Sequence, residues 1–129
     1  MDITVTFPGG KRVDADFDGF HVATDQSPAG GGEGSAPEPS AMFLASLATC
    51  AGIYVLGFCQ ARGIPTEGLT VTQRSQHDPE TKRLVDVTIE VGLPQGFPEK
   101  YREAVLRAAE NCKVKKTIEH PPTFTVRAA

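Results

Sequence analysis

Residues 41–59 read AMFLASLATCAGIYVLGFC and contain no charged side chain. A run of this length fits either a membrane-spanning helix or a helix in the core of a globular domain. Its apolar character is diluted by four small or polar residues, Ser46, Thr49, Gly52 and Gly57. Alternating, strand-like sequence flanks the run on both sides, so a buried core helix is favoured over a membrane span. Gly63 followed by Pro65 marks the end of this helix.

Before this helix, apolar and polar residues alternate, which is the pattern of half-buried strands. Three short strands are predicted, at the sets Ile3/Val5/Phe7, Val13/Ala15/Phe17 and Phe20/Val22. Pro8-Gly9-Gly10 and Asp18-Gly19 supply the turns between them. The Gly- and Pro-rich segment at about 26–39 lacks the Gly-Lys-Ser/Thr of a phosphate loop, so it is interpreted as a flexible connector.

After the helix, the pattern predicts two strands, an amphipathic helix and a last strand. The clearest strand is the unbroken alternation of Val85, Val87, Ile89, Val91 and Leu93, and another strand begins at Leu69 and Val71. Beyond Pro98, one helical face collects Tyr101, Ala104, Val105, Ala108 and Cys112. Phe124 and Val126 indicate the final strand. Because strands and helices come in separate runs, the predicted fold class is α+β, formed by one domain over 1–129.

Composition excludes several classes of function. The net charge is −3, and the only basic cluster is Lys113, Lys115 and Lys116, which is too short for a nucleic-acid-binding face. The chain begins with strand-like alternation in place of a signal peptide, so a cytoplasmic setting without a membrane partner is expected. Three isolated histidines, at 21, 77 and 120, give no metal-ligand spacing, so no metal site is expected.

The three cysteines are the residues with the greatest chemical potential. An odd number in a cytoplasmic chain argues against a framework of structural disulfides. Cys50 and Cys59 are nine residues apart on one predicted helix, which puts them on opposite sides of it. Cys112 lies on the buried face of the second helix, so it can meet Cys50 if the two helices pack by their apolar faces. Any one of the three can also be a buried residue that only fills space.

The sequence around two of the cysteines resembles the OsmC/Ohr family of small thiol-dependent peroxidases. PSAMFLASLATCAG over 39–52 is similar to the family's central-helix motif, and AAENCKVKKTIEHPP over 108–122 is similar to the motif of its second cysteine. The order of strands and helices between the motifs also matches. The resemblance implies antiparallel sheets wrapped around a central buried helix, in an intertwined homodimer with active sites at the interface.

The same resemblance implies an activity. The Cys50 thiolate would reduce an organic hydroperoxide and become a sulfenic acid, with which Cys112 would condense to a disulfide. A small external dithiol, lipoyl-type in some family members, would reduce that disulfide, and no cofactor or metal would take part. Two alternatives stay open: a binding protein for an apolar small molecule, and a structural or stress-protective dimer whose cysteines are simply buried.

Two further site residues are implied by the resemblance. Many family members carry a glutamate nine or ten positions before the first cysteine, linked to an arginine near the N-terminus. Here 40–41 hold serine and alanine, and the nearest carboxylate is Glu38, twelve positions before Cys50. The arginine corresponds to Arg12, with Lys11 as the alternative. Arginine is favoured because its planar fork of donors can hold both a thiolate and a carboxylate.

A second departure from the family lies beside Cys112. Many members have proline directly after the second cysteine, whereas this chain has Lys113. Together with the displaced glutamate, this indicates a divergent subfamily.

Overall fold

The structure is a computed structural model that describes residues 1–129. Its five strands are β1 (Thr4–Gly9), β2 (Arg12–Phe17), β3 (Phe20–Val22), β4 (Thr70–His77) and β5 (Leu84–Gly92). Its three α-helices are α1 (Pro39–Ala61), α2 (Arg102–Glu110) and α3 (Lys113–Glu119). All strand pairs are antiparallel, in sheets of order β1-β2-β3 and β4-β5, which confirms the predicted α+β class. The chain divides into two compact units, Met1–Ala45 and Ser46–Ala129, and a single domain stays a prediction.

The first unit contains the three predicted N-terminal strands. Val5 lies opposite Ala15 in the β1–β2 pair, and Ala15 lies opposite Val22 in the β2–β3 pair. The turn between β2 and β3 needs positive φ at two successive residues, and Asp18 (φ 48°) and Gly19 (φ 80°) supply it. The turn residues read from the sequence therefore set the register of this sheet.

The Gly- and Pro-rich segment after β3 is built around Asp25, so its interpretation as a flexible connector is wrong. The buried Asp25 carboxylate accepts hydrogen bonds from the Gln26 N–H (2.7 Å) and from both the N–H (3.0 Å) and Oγ (2.6 Å) of Ser35. Gly32 closes the loop so tightly that a Cβ there would lie 2.2 Å from the Gln26 carbonyl oxygen. Aspartate readily makes such local bonds to backbone N–H groups, and these bonds fix the segment.

Asp25 makes the free energy of unfolding depend on pH in the acidic range. Hydrogen bonds from the Ser35 hydroxyl, and then from backbone N–H groups, lower the pKa of Asp25 from 3.8 to about 2. A pKa depressed on folding stabilises the native state above 3.8, and this stabilisation is lost as the pH falls towards 2. We expect Asp25→Asn to lower the urea midpoint at pH 7 and to differ less from the parent at pH 2.5. The exposed Asp2→Asn is the control; an Asp25→Asn deficit that stays constant with pH would refute this account.

The second unit packs α1 and α2 against the β4–β5 hairpin. The turn of this hairpin is closed by Asp78, whose carboxylate accepts hydrogen bonds from the N–H groups of Glu80 and Thr81, both at 2.8 Å. The core consists of Val55, Cys59, Ile64, Val105 and Ala109, and partly buried residues such as Phe58, Leu69 and Val91 surround it. The core is therefore formed by one face of α1, one face of α2 and the apolar side of the hairpin.

Only one face of α1 is buried by the chain itself. That face repeats every four residues, at Leu47, Ala51, Val55 and Cys59. By length and composition alone α1 could cross a membrane, with a mean hydropathy of 1.9 over its most apolar window, of which 22 % is buried. The central helix of a globular protein meets the same criteria, so this finding is weak evidence for a span. Large apolar side chains on the opposite face, such as Ile53 and Tyr54, are exposed.

Two predictions about the C-terminal region are wrong. The second helix does not run into Cys112: α2 ends before Asn111, and Cys112, with φ −47° and ψ 122°, leaves the helical region and caps α3. The last strand is absent, because 121–129 have no regular structure and Phe124 and Val126 are 84 % and 99 % exposed. Alternation can predict a strand, but without a pairing strand its N–H and C=O groups gain nothing from extension.

Candidate active site

The predicted pair of cysteines meets where α1 passes the start of α3. Cys50 lies on α1 one turn after Leu47, and the Cys112 thiol donates a hydrogen bond to the Leu47 carbonyl oxygen at 3.9 Å. The Cys50 and Cys112 side chains are near enough for each to shift the pKa of the other, and both are free thiols. The fold thus brings together two thiols that are 62 positions apart in the sequence.

The three cysteines differ in access. Cys50 is half-buried, whereas Cys112 and Cys59 are completely buried. Cys59 belongs to the core and lies nine residues, about 13 Å, further along α1 than Cys50. A reactant from solvent can therefore reach Cys50, whereas Cys59 and Cys112 are shielded from solvent.

The two paired thiols also differ in acidity. Burial raises the pKa of Cys50, but hydrogen bonds from the Val114 N–H, the Cys112 thiol and the Lys113 N–H, together with the Lys113 charge, leave it below its usual value. Burial raises the pKa of Cys112, the Lys115 N–H at 3.4 Å opposes this only in part, and the Cys50 side chain raises it further. Of the pair, Cys50 is therefore the more acidic thiol and Cys112 the less acidic one.

Cys59 has the opposite character. Burial raises its pKa, and the charge of Arg62 offsets this only in part. A buried thiol that keeps its proton is a poor nucleophile, so Cys59 acts as a core residue.

An apolar cavity of about 340 Å³ has Leu47, one helical turn before Cys50, in its lining. Its walls come from β5 and α3, with Leu47 of α1, and they include Leu84, Val85, Val87, Ile89 and Ile118. Neither cysteine lines this cavity, but Leu47 does, and the Leu47 carbonyl is the acceptor of the Cys112 hydrogen bond. The polar groups at the cavity are few and include Lys115 and Glu119. Its size and lining suit a small apolar molecule.

Arg12 and Glu38 lie in the first unit, where each has a different partner from the one predicted. The Arg12 guanidinium donates to Asp14 Oδ2 at 3.1 Å, and Glu38 Oε1 accepts a hydrogen bond from the Ser27 N–H at 3.0 Å. The structure therefore gives Arg12 a carboxylate other than Glu38. Lys11, the alternative to Arg12, lines a cavity of about 200 Å³ together with Arg12. A role for any of these side chains in thiol chemistry stays a prediction.

Two features of the chain were not predicted from the sequence. Asp14 is buried and also binds His21 Nε2, at 3.2 Å, which extends the Arg12 pair into a cluster. The backbone donors at Lys113 and Val114 were missed too, because an N–H group leaves no mark on residue type. The one available signal was the absence of proline at 113. No three His, Cys, Asp or Glu side chains lie close enough together to hold a metal ion.

Comparison with known proteins shows the family of the chain. The sequence model of the OsmC family, described as OsmC-like protein, matches residues 32–127 and so includes both cysteines of the pair. The chain belongs to the OsmC family, which confirms the resemblance seen in its two cysteine motifs. A search of proteins with curated descriptions finds no match to the sequence.

Solved structures of the same fold come from several bacteria. A Psychrobacter arcticus protein named for osmotic stress induction and a detoxification response is 25 % identical, covers 92 % of this chain and 88 % of its own, and has a TM-score of 0.77. An OsmC-like protein of Mycoplasma pneumoniae is 17 % identical, with coverages of 93 % and 87 % and a TM-score of 0.70. The organic hydroperoxide resistance protein OsmC of Legionella pneumophila is 19 % identical, with coverages of 91 % and 87 % and a TM-score of 0.60. The last two show the fold alone.

Proposed function

We propose that this protein is a thiol-dependent peroxidase that reduces organic hydroperoxides. The observation that carries the proposal is the contact between Cys50 and Cys112, in which the accessible thiol has the lowered pKa and the buried thiol the raised one. A peroxidase needs this asymmetry, because only a thiolate attacks peroxide well and the resolving thiol must stay unreacted until the sulfenic acid forms.

The reaction would proceed in three balanced steps. The Cys50 thiolate attacks the O–O bond of the hydroperoxide; an S–O bond forms, the O–O bond breaks, and the alkoxide takes a proton and leaves as an alcohol. The Cys112 sulfur then attacks the Cys50 sulfenic acid, a disulfide forms and water leaves. An external dithiol reduces this disulfide by two thiol exchanges and is itself oxidised to its disulfide. The hydroperoxide thus accepts two electrons, which the external dithiol supplies.

The adjoining cavity favours organic hydroperoxides over hydrogen peroxide. Its lining from β5 and α3 is mainly aliphatic, and it begins at Leu47, one helical turn from Cys50. An alkyl or aryl group bound there gains free energy by leaving water, at about 25 cal/mol for each Å² of apolar surface buried. Hydrogen peroxide has no such group to bury.

The same cavity supports a second candidate function, a binding protein for an apolar small molecule without turnover. A thiol count separates the two functions. After one equivalent of tert-butyl hydroperoxide per chain, a peroxidase loses two titratable thiols in the unfolded, quenched sample and keeps Cys59. A binding protein keeps all three of its cysteines reduced on the same timescale. Retention of three thiols would rule out the peroxidase.

We propose a homodimer as the working form. The support is the face of α1 opposite its buried stripe, where Ile53 is 58 % and Tyr54 is 38 % exposed beside a shallow apolar depression that includes Gly57, Phe58 and Ala108. The chain alone leaves the apolar side chains on this face of α1 exposed to solvent, and a second copy of the chain would bury them. We also propose a dithiol reductant and a reducing, cytoplasmic setting, since the resting enzyme needs the Cys50 and Cys112 thiols reduced.

Sedimentation tests the dimer. We expect the protein to sediment as a dimer at micromolar concentration and Ile53→Asp to dissociate it, because burying an unpaired carboxylate costs several kcal/mol. Gln95→Asp adds the same charge at an exposed polar position outside α1 and should leave the dimer intact. A stable, folded monomer of the parent chain at micromolar concentration would contradict the proposal.

A further inference from the structure

Two cavities of the second unit share part of their lining. The near compartment is the cavity of about 340 Å³ that Leu47 lines, and the far compartment, of about 350 Å³, lies between β5 and α2. Val87, Ile89 and Lys115 line both of them. Because three residues are common to the two linings, the compartments are neighbouring parts of one groove.

The floor of this groove is the apolar side of β5. Val85, Val87, Ile89 and Val91 alternate along the strand, so their side chains point to the same face. From Val85 in the near compartment to Val91 in the far compartment, the strand covers about 20 Å. A long, narrow, apolar groove of this kind fits an unbranched alkyl chain.

Lys115 lies across the middle of the groove. Its backbone N–H donates a hydrogen bond to Cys112 Sγ at 3.4 Å, which anchors the start of its side chain. Its ammonium group donates to the Glu110 carbonyl oxygen and pairs with Glu119 Oε1, both at 3.5 Å. Glu110 lines the far compartment and Glu119 the near one, so these contacts hold the ammonium group at the boundary between the two.

The charges of the lining favour an uncharged ligand. Asp86, Glu110 and Glu119 outnumber Lys115, whose ammonium group is already paired with Glu119. A chain that ends in a carboxylate would therefore meet net negative charge in the groove. The other lining residues of both compartments are aliphatic. The ligand chemistry that fits is an alkyl chain without a charged end.

We propose that Lys115 determines the length of the uncharged alkyl chain that this groove binds. Its side chain closes the near compartment, so a short chain is buried there entirely and a longer one is stopped before the far compartment. Ligand sites in proteins measure about 300–1,000 Å³, and one compartment alone is at the lower end of that range. For substrates the inference rests on the peroxidase function proposed above, in which short alkyl hydroperoxides would then be preferred to long ones.

The test measures binding without peroxide chemistry. Unreactive 1-alkanols, from 1-pentanol to 1-decanol, are titrated into the reduced full-length protein by isothermal titration calorimetry. Affinity rises about fourfold for each methylene group that is buried. In the parent we expect affinity to rise over the shorter alkanols and then to level off, because the added methylene groups meet Lys115 and stay in water.

Lys115→Ala removes the divider and should extend the rise in affinity to the longest alkanols. We expect 1-decanol to bind at least about tenfold tighter to this variant than to the parent, and 1-pentanol to bind equally to both. The variant keeps the backbone N–H that bonds to Cys112, and alanine is the best helix former, so α3 should persist.

Two further variants are controls. Lys115→Arg keeps a long cationic side chain and should show the length limit of the parent. Lys116→Ala removes the same charge from an exposed position of α3 outside both linings and should also behave as the parent does.

A length limit that is absent from the parent or unchanged in Lys115→Ala would overturn the proposal, as would an equal gain in Lys116→Ala. Absence of alkanol binding to the parent would also overturn it, because the groove would then be closed or covered by a second copy of the chain. Consumption of pentyl and decyl hydroperoxides is measured separately. If the alkanols bind as expected but no hydroperoxide is consumed, the role of Lys115 stands and the peroxidase function fails.

Discussion

Cys50→Ser is expected to lose hydroperoxide reduction completely and to fold as the parent does. The Cys50 sulfur forms the only bond to oxygen in the proposed reaction, and a serine hydroxyl in its place stays protonated and does not attack the O–O bond. The substitution exchanges one small side chain for another at a half-buried position, so the fold should tolerate it. Consumption of tert-butyl hydroperoxide with excess dithiothreitol gives the rate, which should fall to the level without protein.

Cys59→Ala is the control for that loss. It removes a thiol from the same helix, but from a core position where burial raises the thiol pKa. The variant should lose some stability, because it leaves a small cavity in the core, while its rate per folded chain stays close to the parent rate. Retained turnover in Cys50→Ser, or lost turnover in a folded Cys59→Ala, would mean that Cys59 is the nucleophile.

Cys112→Ser should react once and then become over-oxidised. Without the resolving thiol, the Cys50 sulfenic acid cannot close to a disulfide, so further peroxide converts it to sulfinic and sulfonic acids. The parent should stop at the disulfide, because Cys112 lies beside Cys50, near enough to shift its pKa. Mass spectrometry of each protein with excess hydroperoxide and no reductant distinguishes the outcomes. Addition of two or three oxygen atoms at Cys50 is expected in the variant, and loss of two hydrogens in the parent.

The role of Cys112 would be wrong if the variant still formed an intramolecular disulfide, because Cys59 would then be the resolving thiol. It would also be wrong if the parent became over-oxidised at Cys50 as fast as the variant. Either result would leave Cys112 as a buried cap of α3, a role that its hydrogen bond from the Lys115 N–H already gives it.

The strands and the cysteine pair could be predicted from the sequence because each depends on residue type at a fixed spacing. Alternation identified β1 to β3 and β5, since side chains of a strand point to its two faces in turn. The nine-residue separation of Cys50 and Cys59 placed them on opposite sides of α1, and the structure puts Cys59 in the core and Cys50 beside Cys112. Family-like motifs then distinguished Cys112 as the partner.

The break between α2 and α3 could not be predicted, because the apolar spacing continues through Ala108 to Cys112 without a glycine or proline to interrupt it. The break depends on a capping hydrogen bond to sulfur, and cysteine is not among the usual capping residues. The backbone N–H groups of Lys113 and Val114, which help to lower the pKa of Cys50, follow from that break and could not be predicted either. The sequence also pointed to Arg12, whose guanidinium binds Asp14, and its role in thiol chemistry stays a prediction.

The most direct test of the account is a disulfide map of the protein after one equivalent of organic hydroperoxide. The sample is quenched with an alkylating agent, digested without reduction and analysed by mass spectrometry. A single intramolecular disulfide between Cys50 and Cys112, with Cys59 alkylated, is the predicted result. A disulfide that contains Cys59, or full alkylation of all three cysteines, would contradict the account.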